Sequence, residues 1–355
     1  MPEQWYRNTH NLQVDITSFC NARCSGCVRN KDGDEVKQEL ILEHFDLEVW
    51  ERLAKEDTAG WYIATLTLNG NWGDPMMHPH LVKMLAIWSL YHPESAMYLH
   101  TNGSMRTTKF WEDMGEVCRQ FTNHFIVFSI DGMHDTHNIY RRKTDLNKIL
   151  ENIKAFTSKG GRGIVTMTLF EHNKHQVKQV EALAKTTGVF QFNLRHSHGT
   201  ELLVKTKDDG DYYVNASHET DEYQVEFEEN RDALPMMSKQ RDYNIFLDVS
   251  DKLQEEAKQS SCACPWYNDK SVQIDPWGKV WPCCHVSLYG TYIEGHTLNL
   301  DVDQSFLRAR EMNNLKKFSL SEILKNEWFT ETVPEAVHNG SWNQCKRICG
   351  VEGGV

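Results

Sequence analysis

The sequence predicts an α/β protein built on parallel strands, either an open doubly wound sheet or an incomplete barrel. Two observations predict it. Short β-rich runs alternate with amphipathic helical stretches before residue 195, with short connections between them. Strands alternating with helices in this way are joined by right-handed crossovers into a parallel sheet. Polar and glycine-rich residues follow the strand runs, as they do where chemistry sits at the C-terminal ends of barrel strands.

Taken in order, the strand runs are 12–17, 62–68, 96–100, 125–130, 164–169 and 189–193, and the helical stretches between them are 39–55, 80–89, 109–121, 146–157 and 175–185. In the fourth helix, Ile149, Leu150, Ile153 and Phe156 recur at the spacing of one core-facing stripe. Gly160-Gly161 and Gly188 stand where a helix should stop and a strand begin. From about 200 to 245 the rhythm fails. That stretch is acidic and punctuated by Gly and Asn, and its alternation at 212–214 and 223–227 predicts a hairpin. Residues 247–259 read as a helix. Beyond them the chain is rich in cysteine, and Asp275-Pro276-Trp277-Gly278 predicts a turn joining the runs 271–274 and 279–281. The expected organisation is a βα core over 10–200, an acidic linker or insertion with a helix over 201–260, and a small cysteine-rich domain over 261–355.

Composition narrows the class. In 355 residues, 40% are hydrophobic and 25% charged, which excludes a disordered, collagen-like or coiled-coil protein. No apolar run approaches the roughly 20 residues of a membrane span. The start, MPEQWYRNTH, lacks a basic stretch followed by an apolar one, so a cytoplasmic location is expected. With 38 Lys and Arg against 50 Asp and Glu, the formal charge of -12 disfavours nucleic acid as a partner. Ten cysteines in a reducing compartment point to metal or redox chemistry rather than disulfides.

Three of these cysteines form Cys20-Asn-Ala-Arg-Cys24-Ser-Gly-Cys27, a C-x3-C-x2-C arrangement directly after the first strand run. Three thiolates on one tight loop can ligate three irons of a [4Fe-4S] cube and leave the fourth open to a small molecule. The competing reading is structural zinc, which wants four ligands and usually pairs of C-x2-C. No fourth ligand stands nearby. In the C-terminal part, Cys264, thirteen residues, Gly278, four residues and Cys283 are followed by Cys345-x3-Cys349. Cys262 fits the first position as well as Cys264 does, and a zinc knuckle remains the alternative for this set. Cys118 reads as a small buried hydrophobe and Cys284 as a spare thiol. His196 and His198, after the sixth strand run, read as ordinary core or solvated histidines. No residue is singled out as a catalytic acid or base.

The N-terminal motif resembles that of the radical S-adenosylmethionine (SAM) superfamily, and the resemblance extends over roughly the first 200 residues. It implies a partial (β/α)6 barrel of the TIM type with the cysteine loop after its first strand. Gly73-Asp74-Pro75 resembles the family's Gly-Gly-Glu-Pro element, which binds the SAM amino group. Thr101-Asn102-Gly103 resembles the turn near the ribose, and Ser129-Ile130-Asp131-Gly132 with Arg141 resembles the Ser-x-Asp-Gly…Arg stretch. Two departures stand out: Trp72 and Asp74 replace the usual Gly and Glu, and Gly26 replaces a common aromatic before the last cysteine. The C-terminal set resembles the SPASM/twitch extensions, whose hairpin and cysteines hold an auxiliary [4Fe-4S] cluster. The resemblance therefore implies ligation by Cys20, Cys24 and Cys27 of the SAM-binding cluster. It likewise implies an auxiliary cluster on Cys264, Cys283, Cys345 and Cys349. The implied activity is reductive cleavage of SAM to a 5′-deoxyadenosyl radical that abstracts hydrogen from a peptide, protein or small molecule. The net reaction is expected to be an oxidation or crosslink, with flavodoxin or ferredoxin as electron donor. The alternative is a zinc- or iron-sulfur-stabilised binding or electron-transfer protein that does not cleave SAM.

Overall fold

The structure is a computed structural model; it describes residues 11–31, 33, 35–56, 63–197, 201–205, 210–230, 264, 266, 271–290, 292–293, 296–297, 309–342, 345 and 349. In chain order, the main elements are β1 (Asn11–Val14), α1 (Leu47–Lys55), β2 (Thr65–Leu68), α2 (Leu81–Tyr91), β3 (Ala96–Thr101), α3 (Thr108–Cys118), β4 (Asn123–Ser129), α4 (His137–Tyr140), α5 (Leu146–Ser158), β5 (Gly163–Leu169), α6 (Val177–Lys185) and β6 (Gln191–His196). They are followed by β7 (Glu201–Val204), β8 (Tyr212–Asn215), β9 (Tyr223–Glu226), β10 (Ser271–Ile274), β11 (Val280–Trp281), α7 (Cys284–Gly290), α8 (Leu320–Leu324) and α9 (Val333–Asn339). By internal packing the chain divides into two compact units. One holds the described residues of 15–44 and 67–236, the other those of 1–14, 45–66 and 237–355.

In the first unit β3, β4, β5 and β6 run parallel in sequential order, with helices as crossovers. The face that meets the helices is sealed: Leu99, Phe128, Val165, Met167 and Leu194 are fully buried. Phe128 packs on Trp111 of α3 at 5.2 Å and on Phe156 of α5 at 5.9 Å between ring centroids. The opposite face is polar and, among the described residues, half-buried to exposed. Ser129, Thr166 and Asn193 share one row across the strands, Thr168 and Arg195 the next, and His100 stands exposed on β3. Deeper on that face, Phe125, Val127, Ile164 and Phe190 make a small apolar floor.

Two sequence expectations are corrected here. The stretch 39–55 is helical only from Leu47, because the Asp46 side chain accepts from the Glu48 and Val49 amides and starts the helix there. Upstream, the Ser18 hydroxyl donates to the Ile41 carbonyl and accepts from the Glu43 amide, which holds that segment along an irregular path. The runs at 212–214 and 223–227 do not pair with each other. Tyr212–Asn215 pairs antiparallel with Glu201–Val204, and Tyr223–Glu226 pairs antiparallel with the edge of β6. An edge strand offers a full row of unpaired amides and carbonyls, and β9 satisfies it. The helix expected at 247–259 lies outside the described residues.

In the second unit β1 pairs parallel with β10, which pairs antiparallel with β11. The turn between them is the one the sequence indicates. Asp275 accepts from the Trp277 and Lys279 amides and from the Trp281 indole, and Gly278 takes φ +83°, a value that favours glycine. Trp281, Phe329 and Trp342 pack around Trp328, at 6.2, 5.0 and 5.8 Å between ring centroids.

Candidate functional site

The loop that leaves β1 is pinned from several sides. The Arg23 amide donates to the Arg142 carbonyl at 2.9 Å and the Ser25 amide to the Tyr140 carbonyl at 3.3 Å. Buried Arg29 donates through Nε and Nη2 to the Ser18 carbonyl, and Asn30 Nδ2 donates to the Cys24 carbonyl. Cys24 is buried, while Cys20 and Cys27 are half-buried, and all three are free thiols.

Two chains of contact end on these cysteines. In the first, buried Asp74 accepts from the Thr101 hydroxyl and from both the backbone and side-chain amides of Asn102. Asn102 Nδ2 lies 3.9 Å from Cys20 Sγ and donates to Asn21 Oδ1 at 2.9 Å. In the second, the fully buried Asp131 side chain pairs with Arg141 Nε, and Arg141 Nη1 lies 3.7 Å from Cys24 Sγ. Asp131 also accepts from the Thr168 amide at 2.7 Å, at the C-terminal end of β5. The carboxylate beside it and the nearby Cys24 hold Arg141 well above its ordinary pKa, although burial opposes this. Gly73 lies flush against the loop backbone: a Cβ there would be 2.3 Å from the Thr17 carbonyl oxygen. Pro75 opens a short 3-10 turn whose first amide is capped by Asp74. Ser129 ends β4 on the polar face, half-buried.

Gly26 has Leu202 and Tyr140 as its neighbours, at 2.9 and 3.4 Å from where a Cβ would stand. Thus β7 and the end of α4 fill the space beside the cysteine loop. Sequence reasoning missed Asn21, Arg29 and Ser104, which with Thr101 complete the polar network. Thr101 carried a local signal, as part of the Thr101-Asn102-Gly103 turn; the other three carried none.

In the second unit the thiols fall into two groups, Cys264 with Cys349 and Cys283 with Cys284 and Cys345. Cys349 shares a hydrogen bond with Cys264, which brings the Cys349 thiol down to about 7. Burial pushes the Cys283 thiol up, and the neighbouring Cys284 and Cys345 push it further. Cys262 and His198 lie outside the described residues. Cys118 is fully buried, and His196 is held by the Thr220 carbonyl.

A family model described as the radical SAM superfamily matches residues 14–184, and one described as an iron-sulfur cluster-binding domain, SPASM, matches residues 262–350. Residues 14–184 are thus a radical SAM domain and residues 262–350 a SPASM-type domain. The fold is accordingly a partial barrel of the TIM type followed by that small domain. SuiB of Streptococcus suis bound to S-adenosylmethionine is similar in fold: TM-score 0.52, 11% identity, over 91% of this chain and 67% of SuiB. SuiB bound to precursor peptide SuiA gives TM-score 0.51 at 10% identity, over 91% and 66% of the chains. Native anSMEcpe with bound AdoMet and the Cp18Cys peptide gives TM-score 0.52 at 14% identity, over 90% and 81%. No curated protein matches. Among the described residues no helix is long and apolar enough to cross a membrane.

The superfamily binds a [4Fe-4S] cluster and SAM, and the SPASM domain binds auxiliary iron-sulfur clusters. The residues present fit these groups. Burial pushes the Cys20 thiol up to about 12 and the Cys24 thiol to about 11, so the surrounding protein alone does not hold them as thiolates. Metal coordination does, since a coordinating thiol is deprotonated outright. Among the described residues no three His, Cys, Asp or Glu side chains close on one ion-sized point. Three thiols on one loop, near enough for Cys24 to feel Cys27 and Cys20 to feel Cys24, suit the separate irons of a cube.

Proposed function

We propose that Cys20, Cys24 and Cys27 hold a [4Fe-4S] cluster whose open iron binds SAM, and that the enzyme abstracts hydrogen from a peptide or protein, with a small molecule as the other substrate class. The observation that carries this reading is the pair of contacts onto the loop. Asn102 reaches Cys20 and Arg141 reaches Cys24, each from the turn or short helix that follows a different strand. When bound, these groups supply one-electron cleavage of SAM to methionine and a 5′-deoxyadenosyl radical, which takes hydrogen from substrate.

The chain's own residues orient and shield. Asp131 fixes the Arg141 guanidinium, leaving Nη1 directed at Cys24 and able to meet an anionic group nearby. Ser129 offers a hydroxyl at the strand end, and Gly73 lets its turn lie against the loop. The half-buried row of Ser129, Thr166 and Asn193, with Thr168 above it, presents hydroxyl and amide groups suited to a peptide backbone, and Arg195 beside it is held by Glu222. Peptides bound to the structurally similar SuiB and anSMEcpe support that substrate class. Cys264, Cys283, Cys345 and Cys349 would hold an auxiliary cluster, closed by four thiolates, that supplies electron transfer. This suits a net oxidation or crosslink with flavodoxin or ferredoxin as donor. In this reading residues 10–200 are the radical SAM core, 201–260 the insertion and 261–355 the auxiliary-cluster domain.

Anaerobic reconstitution with iron and sulfide, followed by dithionite and SAM, tests the proposal. The expected result is roughly eight irons per chain, as two four-iron clusters require, and formation of 5′-deoxyadenosine. A colourless protein with stoichiometric zinc, or a brown one that forms no 5′-deoxyadenosine, overturns it.

A further inference from the structure

We propose that Asp74 is not the group that holds the SAM amino group; it is a positioning residue that ties the turn after β3 to the cysteine loop at Asn21, beside Cys20. The inference rests on the radical SAM reading above and departs from the role its motif implies.

A carboxylate offers about four lone-pair sites. Asp74 Oδ1 accepts from the Met76 amide at 3.0 Å and the Thr101 hydroxyl at 2.9 Å. Its Oδ2 accepts from the Asn102 amide at 2.8 Å and from Asn102 Nδ2, with the Thr101 hydroxyl also within 3.0 Å. Four protein donors therefore meet about four sites. The side chain is only 4% exposed, so no face of it is left for a ligand. An ammonium would have to displace a donor from a buried network, leaving that donor unsatisfied. The methylene by which Asp falls short of Glu keeps the carboxylate back among these donors.

What Asp74 does reach is the cysteine loop. The Asn102 side chain it holds donates to Asn21 Oδ1 and lies 3.9 Å from Cys20 Sγ. On its other side Asn102 Oδ1 accepts from the Ser104 amide and hydroxyl, at 3.0 and 2.7 Å. Asn21 in turn donates to the Ser104 hydroxyl at 2.8 Å. The amide is thereby locked in one orientation, with its NH2 toward the loop and its oxygen toward Ser104. With its two N–H bonds taken by Asp74 and Asn21, Asn102 holds the residue next to Cys20 in place, and groups that orient a ligating cysteine are one of the ways a protein tunes an iron-sulfur cluster.

The test compares wild-type and Asp74→Asn proteins, both reconstituted with iron and sulfide. Each is titrated by calorimetry with SAM and with the desamino analogue of SAM. The wild type is expected to prefer SAM by some ratio, and Asp74→Asn to keep that ratio while binding both compounds more weakly. In the same samples the electron paramagnetic resonance g values of the reduced cluster should shift, which a purely structural brace would not cause. Thr101→Val, which keeps the carboxylate and removes one of its donors, should shift the spectrum in the same direction and also preserve the ratio. A roughly tenfold collapse of the ratio in Asp74→Asn, the order of one lost charge-assisted bond, overturns the proposal. So does an unshifted spectrum. A wild-type protein that binds neither compound overturns the SAM reading itself, and this inference with it.

Discussion

At Gly73 a single methyl group decides whether the loop can exist. A Cβ there would meet the Thr17 carbonyl oxygen at 2.3 Å, the Phe19 carbonyl oxygen at 2.6 Å and the Phe19 amide nitrogen at 2.9 Å. All three are backbone atoms, so no rotamer change relieves the clash. Gly73→Ala should therefore displace the exit of β1, costing about 1–3 kcal/mol or more and lowering iron bound at the loop. Iron analysis and a denaturant midpoint check both. At Gly26 the nearest atom is the tip of Leu202, which can swing aside, so Gly26→Ala should cost far less. His124 and His137 give the pH dependence. Burial lowers each to about 4. His137 Nδ1 accepts from the Asp131 amide and His124 Nε2 from the Arg162 amide, so each ring is neutral in the fold. Folded values below the ordinary 6.5 mean that the unfolded chain binds protons first. Their stabilisation is fully present above pH 6.5 and is lost as pH falls toward 4. The urea midpoint should drop across that window, and drop less in His137→Gln at matched iron content.

At the scale of elements, what could be read in advance was what local pattern determines. All six strand runs of the βα region contain a strand, because one face of each is packed with large apolar side chains. The stripe of α5 was legible for the same reason, with Ile149, Ile153 and Phe156 fully buried. The start of α1 was not, since the Asp46 cap outweighs an amphipathic pattern that continues upstream. Pairing of β9 with β6 was also hidden, because it depends on an edge formed about thirty residues earlier. The same division holds in the site. Cysteine spacing is local and was legible, whereas Thr101 and Asn21 matter through partners 27 and 81 residues away. Glu56, just beyond α1, is another such distant contact. Its carboxylate accepts from the Leu320 and Ser321 amides at 2.9 and 2.7 Å, at the start of α8, beside the Ser319–Glu322 capping box. Glu56→Ala should cost about 1–2 kcal/mol, as loss of a helix cap does. An unchanged denaturant midpoint for the second unit would show that water replaces the carboxylate without loss.

For the whole molecule, the division of cysteines between the two compact units makes the two metal functions separable. Of the proposed ligands, Cys20, Cys24 and Cys27 belong to one unit and Cys264, Cys283, Cys345 and Cys349 to the other. The contacts of Asn102 and Arg141 onto the first set also lie wholly within its unit. Removing a thiol from the second set should therefore leave the first intact. Cys345 is buried beside Cys283, so Cys345→Ala takes away one of four thiols where solvent cannot readily substitute. Iron should fall from roughly eight to roughly four per chain. With dithionite as donor, 5′-deoxyadenosine should still form, whereas turnover of a peptide substrate to oxidised product should be lost. Reduced iron with full product turnover would show that the C-terminal cysteines serve stability alone. Loss of 5′-deoxyadenosine together with the iron would show that the two units do not hold their metals independently. Only retention of cleavage with loss of product fits a molecule in which one cysteine set opens the reaction and the other completes it.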